Sequence, residues 1–210
     1  MIESTLICEY IDETFPDPPL ASKSPVERAQ MRLWSKFVNE GLFEGVAEIS
    51  FSAIFRARMK SMTPEMREKR FSNVGDPRRR DRFTSTYEHG VRSPFVLHAI
   101  AAYERAFKLM EHTLAEGGPW ICGKSATLAD INMMPFVARL SYLGLLDAWT
   151  SDRLHINAWW ELVQQWPSFR RGLHDLISEA EFAEMRTHGP KLRGDIGAYI
   201  AQLRRVTDAA

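Results

Sequence analysis

The stretch SATLADINMMPFVARLSYLGLL, residues 125–146, most limits what this chain can fold into. It is apolar on nearly every side, so as a helix it must be covered by other elements on most of its surface. Its entry is also encoded locally. Thr127 followed by Asp130 forms a capping box, and Ala126 and Ile131 are spaced for a hydrophobic staple, which together fix where the helix starts and how the chain enters it. Loss of such a cap costs about 1 kcal/mol, and more if the acid is buried.

The rest of the chain supplies helices to surround this one. Ser4 to Thr14 places Leu6, Ile7, Tyr10 and Ile11 on one helical face, with Ser4 as a natural N-cap. The following Phe15-Pro-Asp-Pro-Pro-Leu20 cannot continue a helix and reads as a linker. Ser24, Pro25 and Glu27 mark a second start, and apolar residues from Met31 to Phe55 recur at three- or four-residue steps apart from one gap of five. This predicts a long helix to about Met59, with Gly41 and Gly45 as kink points. Thr63 and Pro64 open a short charged helix, and Arg78 to Arg82 form a polar turn or exposed helix face. Ser93 and Pro94 open a long helix ending at Gly117 and Gly118. Further helices are expected at Arg153–Gln165, Pro167–Ile177 and Lys191–Val206. No strand pattern or repeat is present, so the fold class is all-α.

Composition excludes several functions. The 27 basic and 27 acidic side chains cancel, which gives no electrostatic basis for a nucleic-acid partner, and Arg78 to Arg82 read as a solvated face. Cys8 and Cys122 belong to no CxxC or Cys/His cluster, and the six histidines show no ligand spacing, so no metal site is expected. No run approaches the roughly 20 apolar residues that cross a membrane, and the acidic N-terminus is unlike a signal peptide. A cytoplasmic setting fits.

Four segments in fixed order carry a resemblance: ESTLICEYIDETFPDPPL, SPVERAQMRLW, WICGKSATLADI and WPSF. Together they resemble the glutathione S-transferase family. The stretch from Ile2 to Leu20 and the following RLWSKFVNE are most similar to bacterial members related to lignin β-etherases and tetrachlorohydroquinone dehalogenase. The resemblance implies residues 1–15 as a remnant of a thioredoxin-like domain, 16–23 as a Pro-rich linker and 24–210 as the helical C-terminal domain. Glutathione is the implied co-substrate, transferred to, or used to cleave, a hydrophobic aromatic electrophile.

The same resemblance implies that Glu3 and Ser4 bind the γ-glutamyl end of glutathione. Free amides and the positive end of a helix dipole at Ser4 suit its carboxylate, and Glu3 suits its ammonium. The bland reading makes Ser4 a cap and Glu3 a first-turn acid. No residue corresponds to the family's thiol-activating group, so no catalytic residue is named. Cys8 is expected to be a small core residue rather than a nucleophile. Trp34, Phe37, Val38, Phe55, Tyr103 and Phe107 are candidates for a hydrophobic pocket, although aromatic residues at helical spacing are more often core. Met1 directly before Ile2-Glu3-Ser4 suggests a start codon placed too far downstream or a truncated gene. The implied partners are glutathione, a hydrophobic small molecule, and a second copy or a complementing thioredoxin-like half; the alternative function is a non-catalytic helical ligand-binding or interaction module.

Overall fold

The computed structural model describes residues 2–208; residue 1 and residues 209–210, the outermost positions of the segments inferred above, lie outside it. The described residues contain no strand, only an isolated bridge between Trp120 and Gly123. The main helices are α1 (Ser4–Thr14), α2 (25–60), α3 (Pro64–Ser72), α4 (Pro77–His89), α5 (Pro94–Gly117), α6 (Leu128–Tyr142), α7 (Leu154–Gln164), α8 (Pro167–Gly172), α9 (Glu179–His188) and α10 (Arg193–Asp208), with a single α-helical turn at Asp147–Thr150.

The apolar segment behaves as its composition requires. Leu128, Ala129, Met133, Val137, Ala138 and Leu140 of α6 are all buried, with α2 along its first turns and α7 and α9 against other parts. Pro135 lies inside α6 without ending it. The buried amide of Asn132 donates to Ser35 Oγ at 2.9 Å, tying α6 to α2 through a satisfied polar pair. Beside them Tyr103, Phe107, Trp149 and Trp159 are fully buried, each large ring contributing roughly 1.5–3 kcal/mol relative to exposure.

The capping box forms and is a junction as well as a cap. Thr127 Oγ1 accepts from the amide of Ala129 at 3.2 Å, and Asp130 Oδ2 accepts from the amide of Thr127 at 2.8 Å. The other oxygen of Asp130 accepts from the Ile121 amide at 3.0 Å and the Trp159 indole at 2.8 Å, so one buried carboxylate joins the 120s loop, the start of α6 and α7. The linker is anchored to the same place. Asp12 accepts from the amides of Leu20 and Ala21, and the Leu20 carbonyl accepts from Leu128.

The long helix α2 differs from the expectation in how it is irregular. Gly41 and Gly45 permit close approach to α5: an added Cβ would sit 3.2 Å from Ala102 Cβ and 3.1 Å from Ala99 Cβ. The irregularity itself lies in two π-helical turns, Val38–Leu42 and Phe51–Phe55. The second overlaps the five-residue step from Ile49 to Ile54, as expected when a π turn inserts one residue into the helical register.

Other boundaries shift for identifiable reasons. Ser24 occupies the cap position of α2 without a side-chain bond; its amide donates to Ser22 Oγ, and Ser22 in turn bonds Glu27. The helix predicted over 167–177 stops at Gly172 and is followed by a 3₁₀ turn at His174–Leu176. The stretch after it, not assigned from sequence, forms α9 from a capping box between Ser178 and Glu181. Arg78 to Arg82 lie in α4, whose start Asp76 caps by accepting from the Arg78 amide at 2.9 Å.

Candidate functional site

The start of α1 differs from the start of α6 at every atom that matters. Glu3, not Ser4, occupies the cap position; it has φ 71° and ψ 104° and makes no side-chain cap bond, and Ser4 is the first helical residue. The expected cap at Ser4 is therefore corrected. A non-glycine residue at positive φ is costly and persists where the surroundings or a ligand require it. The Ile7 amide donates to the Glu3 carbonyl at 3.0 Å as the first bond of the helix, so the amides of Ser4, Thr5 and Leu6 have no partner within the helix itself. Both Glu3 and Ser4 are exposed. Three free amides with an exposed hydroxyl and carboxylate beside them can receive a carboxylate and an ammonium together.

The neighbouring helix is tied to α1 by an ion pair of Arg32 with Glu9 and, nearer this corner, by a side-chain hydrogen bond. Asn39 Nδ2, in the first π turn of α2, donates to the buried Thr5 Oγ1 at 3.2 Å. One helical turn further along α2 lies Phe43, 64 % exposed. Sequence reasoning singled out neither residue. The π turn that brings Asn39 to Thr5 leaves no clear mark in the apolar spacing. Of the aromatic and aliphatic candidates it did single out, Trp34, Val38, Tyr103 and Phe107 are core, Phe37 is half-buried and Phe55 reaches the surface. Ile2, beside Glu3, is 80% exposed, and on α1 Leu6, Tyr10 and Ile11 are each half or more exposed.

No thiol offers a nucleophile here. Burial raises the Cys8 thiol above its ordinary value, and Cys8 packs against the core. Burial likewise raises Cys122, with a bond to Thr127 opposing it. A cleft of about 400 Å³ between α2 and α5 is lined by Glu40, Glu44, Glu48, Arg82 and His98. Burial raises the Glu48 carboxyl, against the lowering effects of the Thr86 hydroxyl and Arg82. Thr86 Oγ1 donates to it at 2.7 Å, so this acid is already occupied. Among the described residues no group of three or more His, Cys, Asp or Glu is placed to hold a metal ion, and no helix is long and apolar enough to cross a membrane.

Residues 66–171, half of the chain, match the model of the glutathione S-transferase C-terminal domain. The chain belongs to the glutathione S-transferase family. Two curated relatives are glutathione S-transferase U7 of Arabidopsis thaliana, 51% identical over 41 residues, and protein LigF of Sphingobium sp., 36% identical over 78 residues. These matches cover 20% and 36% of this chain but only 18% and 30% of the relatives, so the chain accounts for well under half of either. The fold is similar to that of the beta-etherase LigF from the same Sphingobium strain, with a TM-score of 0.69 and 23% identity over 83% of this chain and 74% of that one.

Proposed function

We propose that this chain carries the helical part of a glutathione-dependent transferase acting on a hydrophobic, aromatic electrophile. In the reaction the glutathione sulfur forms a bond to the electrophilic carbon, and where a leaving group is present it departs with its electron pair and takes up a proton. The observation that supports this reading is the bare, positive-φ start of α1 in a chain of this family. Glu3 and Ser4 are its γ-glutamyl subsite: the amides of Ser4 to Leu6 and the Ser4 hydroxyl donate to the carboxylate, and Glu3 accepts from the ammonium. Phe43, exposed and one turn beyond Asn39, offers a wall for the second substrate.

Ionising the thiol requires a hydrogen-bond donor at the sulfur, and we assign that role to a thioredoxin-like half of which residues 1–15 are a remnant that includes α1, joined through 16–23 to the helical domain 24–210. A separate chain can supply that half. Its surface on this side is the apolar face of Leu6, Tyr10 and Ile11, an exposed patch of the kind that seeks a partner. The setting is cytoplasmic, and a second copy is a further partner.

Passage of the 210-residue chain over immobilised glutathione tests the division of labour. The chain alone is expected to run through, and addition of a thioredoxin-like half is expected to give retention and turnover of an aromatic electrophile. Retention of the chain alone would contradict the assignment of the thiol end to the other half. Stop codons close upstream of Met1, together with no activity on complementation, would replace the enzyme by a non-catalytic helical binding module.

A further inference from the structure

A second cleft, of about 320 Å³, lies between the end of α2 and the α3–α4 hairpin. It shares no lining residue with the corner formed by Glu3, Ser4, Thr5 and Asn39, and it begins twelve residues, about 18 Å of helix, beyond Asn39. Its walls are aromatic. Phe51 and Phe83 stack with centroids 4.9 Å apart and planes 11° from parallel, and Phe55 and Phe71 supply the other aromatic rings of the lining. The π turn Phe51–Phe55 contributes two of these rings, with centroids 6.3 Å apart. Wide turns of this kind occur often at binding sites.

The rim carries charge of one sign. Between residues 56 and 82 the chain has ten basic and four acidic side chains, against seventeen basic and twenty-three acidic elsewhere, so a neutral protein is locally cationic. Half of these ten cations are occupied: Arg58 pairs with Glu184, Arg82 with Glu44, and Arg56, Arg67 and Arg80 donate to backbone carbonyls. Arg70 and Arg79 line the cleft, are exposed, and pair with no carboxylate among the described residues. Arg79 lies over the Phe83 ring at 5.2 Å. Glu48, whose field reaches Arg79, is buried and held by Thr86 and Arg82.

We propose that this cleft is a separate binding site for a small planar arene carboxylate, the ring seated among Phe51, Phe71 and Phe83 and the carboxylate between Arg70 and Arg79. The volume falls within the range of small-molecule pockets. Aromatic walls select a flat apolar body, and two planar guanidinium groups without acidic partners select its anionic end over a neutral or cationic one. The site does not depend on the glutathione reading.

Calorimetric titration of the full chain with 2-naphthoate tests the proposal. Saturable binding is expected, weakened at least about tenfold in the double variant Arg70→Gln/Arg79→Gln. Neutral 2-naphthalenemethanol is expected to bind both chains equally, which also reports that the variant retains the cleft. Ser4→Ala is expected to leave 2-naphthoate binding unchanged. No saturable binding up to about 5 mM, equal binding by the double variant, or loss of binding on Ser4→Ala would each overturn it.

Discussion

The starts of α6 and α1 are both helix N-termini, and they treat the donors of the first turn in opposite ways. At α6, Asp130 is inaccessible to solvent and accepts from two backbone amides and an indole, while Thr127 caps the second turn position. At α1, the cap residue makes no side-chain cap bond, holds a backbone conformation rare for glutamate, and leaves three amides without a partner inside the helix. Satisfied donors stabilise the fold, whereas unsatisfied exposed donors are available to a ligand. Substitutions at α6 should therefore cost stability, and those at α1 should cost binding.

The largest effect is expected for Asp130→Ala, which strands the Ile121 and Thr127 amides and the Trp159 indole in the interior. A loss of about 4 kcal/mol is expected, read as a shifted urea midpoint or as failure to fold. Next comes Glu111→Gln. Glu111 on α5 caps α7 from outside, accepting from the amides of His155 at 3.1 Å and Ile156 at 2.9 Å, and its removal should cost about 1–2 kcal/mol at pH 7. Burial alone would raise the Glu111 carboxyl, but the Ile156 and His155 bonds outweigh it and hold it below its ordinary 4.5. A lowered folded value means stability present above the unfolded value and lost as pH falls through the folded one. The difference between wild type and Glu111→Gln should therefore close below about pH 4.5.

Asp130 has the opposite sign. Burial raises its carboxyl above the ordinary 3.8 against four opposing hydrogen bonds, so its titration favours the fold below 3.8 and that contribution fades as pH rises through the folded value. Thr127→Ala should cost about 1 kcal/mol by thermal melt. The smallest stability effects belong to α1. Ser4→Ala should change stability by less than about 0.5 kcal/mol. Glu3→Gly should stabilise by up to about 1 kcal/mol, because glycine adopts φ 71° without strain. A marked loss from either would mean that the α1 start is a structural cap like that of α6.

Much of this contrast was legible in the sequence, to different depths. The α6 entry was readable because every participant in its box lies within four residues, and the long apolar face required surrounding helices. The same local signal, Ser178 with Glu181, stood ahead of α9 without a strong apolar face to draw attention to it. The five-residue gap between Ile49 and Ile54 is the trace of a π turn, whereas the kink expected at Gly41 and Gly45 rested on glycine content alone. Glu3 and Ser4 were found through family resemblance, but their register was off by one because a positive φ at glutamate has no sequence signature. Asn39 on Thr5, Glu111 on α7 and Trp159 on Asp130 are contacts across more than 25 residues, and no local pattern encodes them.

The central claim is that the bare start of α1 is a glutathione subsite and only part of one. An amide NMR titration of the 210-residue chain with glutathione tests it most directly. The account predicts weak binding, with a dissociation constant on the order of millimolar. The shifts should be confined to the Ser4, Thr5 and Leu6 amides and the Asn39 side chain and be abolished by Ser4→Ala. Shifts centred elsewhere, or none at saturating glutathione, would contradict it.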